Sequence, residues 1–153
     1  MGIIGAVGDT SYNLVLLGHL LCVVVGAGLA FLGPTLSRLA RQHGGEGAQM
    51  AVDSATSKIV FPALLLAGIF GGALVGFADD ELDPVISFEE LWLSVAGGLW
   101  ILALGLSLVA FQPRWFGMIN PTDQGRRRAS MLLHLTLLLL FIDMIWKLSL
   151  IHI

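Results

Sequence analysis

Long apolar stretches separated by short polar ones set the pattern of this chain, and the stretches are too long to be strands. A helix needs about 20 predominantly apolar residues to cross roughly 30 Å of hydrocarbon, because every backbone N–H and C=O must be paired inside the segment. Four stretches reach that length, at about 12–32, 59–78, 88–111 and from 130 to 147 and beyond. The pattern predicts an all-α membrane protein, a four-helix antiparallel transmembrane bundle making one domain over 1–153.

The polar segments between these spans orient them. The first connection holds Arg38, Arg41 and Lys58, the second Asp79, Asp80, Glu81 and Asp83, and the third Arg114, Arg126, Arg127 and Arg128. Seven of the eight Lys and Arg therefore fall in the first and third connections. Basic residues in short loops stay cytoplasmic, so both termini are expected outside a bacterial cytoplasmic (inner) membrane. The leader contains Asp9 and no base, unlike a secretory signal, and the first span is expected to be retained. Ser87 with Glu90 reads as a capping box for the third span, and Asp53 or Ser54 as a cap for the second. Pro34 and Pro113 fall near the cytoplasmic ends of the first and third.

Composition agrees. Of 153 residues, 56% are hydrophobic and 12% charged, against about 25% charged in an ordinary soluble domain. The mean hydropathy of +0.87 excludes a water-soluble globular enzyme. A net charge of -3 gives no basic stripe for nucleic acid, and the lone Cys22 excludes an internal disulfide framework.

Polar residues inside spans are the candidates for chemistry, since a charge at the centre of a span costs about 2.5–3.5 kcal/mol. They are His19, His134, Asp143 and Lys147, with the neutral Asn13, Cys22, Ser94, Ser107 and Thr136. At 1.5 Å per residue, His19 and Asp143 each come about 10 Å below the outer surface, whereas His134 lies about 6 Å above the inner one. Asp143 and Lys147 share a helix face. If the first and fourth helices pack, His19, Asp143 and Lys147 form one polar cluster, with Cys22 on the His19 face and Met144 nearby. That cluster suits either a proton or metal relay, with His19, Cys22 and Met144 as copper ligands, or a carboxylate–imidazole bond that locks two helices in register. A bis-histidine haem on His19 and His134 would have to bridge about 14 Å of depth.

Gly68, Gly72 and Gly76 along the second span, and Gly97, Gly98 and Gly105 along the third, predict close helix approaches. Arg126, Arg127 and Arg128 read as a topology anchor for anionic lipid heads. Trp92, Trp115 and Tyr12 fit interfacial positions and Trp100 and Trp146 deeper ones. The acidic run 79–83 lacks calcium-loop spacing. The last six residues, Leu148 to Ile153, are the translation of CTG TCT CTT ATA CAC ATC, a transposon end used to build sequencing libraries. The natural reading frame is accordingly expected to break off at or near Lys147, with 148–153 as adapter read-through and His152 without function.

From Tyr12-Asn13-Leu14 through Leu17-Gly18-His19-Leu20-Leu21 to Gly33-Pro34 and Arg38, and again at Ile59-Val60-Phe61-Pro62-Ala63-Leu64, the chain resembles a family of small bacterial four-span integral membrane proteins of unknown function. More distantly, a helix-one His, a Pro/Arg exit and a late Lys in helix four look like the copper resistance protein D group and the bacterial membrane protoporphyrinogen oxidase. That resemblance implies haem-type chemistry at His19 and Lys147. Three classes of function follow: a non-enzymatic membrane protein or accessory subunit without cofactor, a copper- or haem b-linked protein using His19, and a small transporter that must form a homo-oligomer. The expected partners are the lipid bilayer and a homo-oligomer or larger membrane complex.

Overall fold

The computed structural model describes residues 10–77, 91–111 and 122–150, without the side chains of 91, 123 and 147–150. It contains three helices, α1 (Thr10–Val75), α2 (Leu91–Phe111) and α3 (Asp123–Leu150), and no strand among the described residues. Each is long and apolar enough to cross a membrane. The capping box at Ser87 and Glu90, the acidic run, Pro113, Arg114, Trp115 and the residues after 150 fall outside the described residues.

The count of three, against the four expected, has a local cause. The first connection is not a loop, because residues 33–58 continue the helices on either side of them. Helical geometry fails only at Gly45, where φ is 71° and ψ is −166°. A side chain would strain that conformation, while glycine adopts it freely. One 66-residue element therefore contains two arms, 10–44 and 46–75, that fold back on each other. The pairing is antiparallel, since partners descend in number along the second arm as they ascend along the first. The Tyr12 and Phe77 rings meet edge to face with centroids 5.4 Å apart. A Cβ on Gly18 would touch the Phe70 ring, one on Gly26 would lie 3.2 Å from the Ala63 Cβ, and one on Gly33 would lie 2.8 Å from the Thr56 methyl. Small residues thus let the two backbones close.

An arm of 35 residues rises about 50 Å, more than the roughly 30 Å of hydrocarbon. The excess lies at the bend, and it is polar. Arg38, Arg41, His43, Glu46, Asp53 and Lys58 are all exposed there.

α2 runs antiparallel to the second arm, for Trp100 reaches Leu64 while the later Phe111 comes beside Gly33 and Thr56. α3 packs most extensively on α2. Its first turn is capped by Thr122, whose hydroxyl accepts the Gly125 N–H at 3.1 Å. The common core draws on every element: Ala27 and Ala30 from the first arm, Val60 and Leu64 from the second, Ala103 from α2, Leu133 and Leu137 from α3. Outside it, the surface is oily. Leu14, Ile69, Ile101, Met131, Ile145 and Trp146 are each more than half exposed, and only 22%, 17% and 22% of the most apolar windows of the three helices is buried. In water such a surface would be a contiguous apolar patch far beyond what a monomer tolerates.

The helical hairpin makes a direct prediction. Cysteines in place of Gly26 and Ala63, in a Cys22→Ser background, lie within disulfide reach and are expected to cross-link nearly completely under mild oxidation. Two thiols that remain free would contradict the folding back of α1 at Gly45.

Candidate functional site

A ring N–H placed in hydrocarbon must find an acceptor within the protein. In this bundle the acceptors are main-chain carbonyls of a neighbouring helix, and each is opened by the residue four positions later. His134 Nε2–H donates to the Ala30 carbonyl at 2.9 Å, and its ring stacks on Phe31 with centroids 4.9 Å apart. The fourth residue after Ala30 is Pro34, which has no N–H to give that carbonyl. His134 therefore supplies from α3 the hydrogen bond that Pro34 withholds.

The other two contacts use glycine. Trp100 Nε1–H donates to the Leu64 carbonyl at 2.8 Å. A Cβ on Gly68 would fall 1.9 Å from the Trp100 ring, so the indole can reach the second arm only because residue 68 has no side chain. His19 Nδ1–H donates to the Ala67 carbonyl at 2.8 Å, and a Cβ on Gly71 would lie 3.1 Å from His19 Cε1. Both carbonyls have a second lone pair, which allows sharing with the helical N–H of residues 68 and 71.

The buried in-span hydroxyls of Ser107 and Thr136 turn back on their own helices. Ser107 donates to the Leu104 carbonyl and Thr136 to the Leu132 carbonyl, both at 2.8 Å. This local bond satisfies a hydroxyl in an apolar setting without reference to another helix.

Of the expected polar cluster, His19 is the member with a hydrogen bond to another helix. His19 is turned onto Ala67, and no hydrogen bond or ion pair among the described residues joins it to Asp143. Asp143 lies on α3 with a buried Oδ2 that has no hydrogen-bond partner among the described residues. The Lys147 side chain lies outside the described residues, and Met144 is half-buried. Cys22, three residues from His19, instead lines a shallow apolar groove of about 270 Å³ with Leu21 and Val25 of the first arm and Ile59, Pro62, Ala63 and Leu66 of the second. No group of three or more His, Cys, Asp or Glu that could hold a metal occurs among the described residues. The carbonyls met by His19 and His134 place the two rings far apart along the bundle. Their levels on the first arm, residues 19 and 30, are about 16 Å apart.

Glycine spacing served only in part. Of the expected glycines, Gly68 makes a close approach, whereas Gly72, Gly97, Gly98 and Gly105 have open space where a side chain would stand. Those that close the structure besides Gly68 are Gly18, Gly26, Gly33 and Gly71. The pairing of Pro34 with a donor from another helix is legible in principle, because a proline in a span announces a free carbonyl four residues earlier. Arg126, Arg127 and Arg128 are exposed in the first turns of α3. Comparison of the chain with protein families, with curated proteins and with solved structures finds no match to any of them.

The Pro34–His134 arrangement predicts a coupling. His134→Ala is expected to lower thermal stability in detergent by an amount typical of a hydrogen bond between helices in a membrane, roughly 0.6–1.7 kcal/mol. In a Pro34→Ala background, residue 34 gives its own N–H to Ala30, and the same substitution should cost measurably less. Equal losses in the two backgrounds would show that the carbonyl is not what His134 serves.

Proposed function

We propose that this chain is a multi-pass bacterial integral membrane protein of the cytoplasmic membrane, with no chemistry of its own, serving as an accessory subunit of a larger membrane complex. The single observation that carries this reading is where the ring N–H groups of His19, His134 and Trp100 go. Each of the two histidines and Trp100 commits a ring N–H to a helix carbonyl, the use expected of side chains that hold helices together. In this reading the two arms of α1, together with α2 and α3, make four crossings. The Gly45 bend with Arg38, Arg41 and Lys58, and the start of α3 with Arg126, Arg127 and Arg128, then lie on the cytoplasmic side and both termini outside.

A second reading is supported by one specific pair of atoms. His19 Nε2 and the buried Asp143 Oδ2 have no hydrogen-bond partner among the described residues, and a copper- or haem b-linked protein would use His19. The two readings separate in the cuvette. The protein purified in mild detergent from copper- and haem-replete cells is expected to be colourless, with copper well below one per chain. A Soret band, or stoichiometric copper, that disappears in His19→Ala would overturn the accessory reading in favour of the second.

A further inference from the structure

On the outer seam of the α1 hairpin, the groove beside Cys22 is lined entirely by apolar side chains, and no other described element covers it. From Ile59 to Leu66 it rises about 10 Å, some two thirds of one leaflet's share of the hydrocarbon. What sets it apart from the rest of the oily surface is its mouth. Lys58, Pro62 and Leu66 recur at intervals of four and share one helical face, so an exposed cation heads the stripe whose next two members line the groove. Lys58 makes no ion pair among the described residues. Its carbonyl receives no N–H from position 62, because that position is proline. An exposed lysine whose own carbonyl is short of a donor thus precedes, on the bend side, the residues that line the shallow apolar groove.

From this juxtaposition we infer that the groove holds one acyl chain of a glycerophospholipid whose acidic, hydroxyl-bearing headgroup sits at Lys58. The phosphate pairs with the ammonium group, and a headgroup hydroxyl donates to the Lys58 carbonyl. The lipid is a built-in part of the hairpin's outer face, distinguished by headgroup charge from the lipid around it. This inference rests on the membrane reading given above and names a partner for it.

Photolabelling in nanodiscs tests both parts. The full chain is reconstituted in phosphatidylcholine containing a small share of phosphatidylglycerol or of phosphatidylcholine with a diazirine on the acyl chain, and adducts are mapped by mass spectrometry. Phosphatidylglycerol adducts should concentrate on 21–25 and 59–66 relative to the equally oily Ile101 and Met131, and phosphatidylcholine adducts should not. Lys58→Gln should reduce the phosphatidylglycerol adducts there about fivefold and leave the phosphatidylcholine ones unchanged. Phosphatidylglycerol adducts spread evenly over the groove, Ile101 and Met131 would overturn the lipid site while the membrane reading stands. A groove free of adducts whose Cys22 cross-links to Cys22 of a second copy would overturn it in favour of a dimer. A chain that stays dispersed without lipid or detergent and takes no adduct from either lipid would overturn the membrane reading itself.

Discussion

Hydrocarbon offers no hydrogen bonds, and that one fact governs which polar side chains this bundle can contain and where they point. A buried indole or imidazole N–H left without an acceptor costs several kcal/mol, and water cannot enter to relieve it. The only abundant acceptors at that depth are carbonyls of other helices, already engaged in their own ladders. Access to them has to be arranged. At Ala30 a proline four residues on removes the competing donor, while at Leu64 and Ala67 a glycine four residues on removes the side chain that would block the approach. Three aromatic donors and three small or imino residues thus form one repeated device, and it joins the two arms of α1 to each other, to α2 and to α3.

The same economy explains the thinness of the core. Ala27, Ala30 and Ala103 lie at its centre beside Leu133 and Val60. Close backbones and directed hydrogen bonds do what a thick layer of large side chains does in water, because lipid tails are as apolar as leucine and supply no drive for burial between helices. The large side chains face outward instead, toward the solvent that suits them. Among the described residues the chain presents polar surface at the Gly45 bend, where α1 outlasts the hydrocarbon thickness, and at the exposed Arg126, Arg127 and Arg128 of α3.

Much of this architecture was readable from residue order. Helical type, the long apolar segments and the difference in depth between His19 and His134 follow from apolar run length and a fixed rise per residue. Whether 33–58 is loop or helix does not, because exposed Arg38, Arg41 and Lys58 suit a solvated helix as well as a connection. Two helices merged across a single glycine therefore appear where a loop was expected. The partners of His19 escaped for a different reason. Depth gives the level of His19 but says nothing of azimuth, and its Nδ1 meets the Ala67 carbonyl of the second arm, where Gly71 leaves room for the ring. Gly68 and Gly72 look alike in the sequence and differ only in what the neighbouring helix brings to them.

The central claim concerns protons on ring nitrogens, and solid-state nitrogen NMR of the isotopically labelled histidines in lipid bilayers reads those protons directly, with His19→Gln and His134→Gln variants giving the assignments. The account requires opposite tautomers: His19 carrying its proton on Nδ1 and His134 on Nε2, each hydrogen-bonded to a carbonyl and slow to exchange. Finding both rings in the same freely exchanging tautomer mixture as the exposed His43 would contradict it.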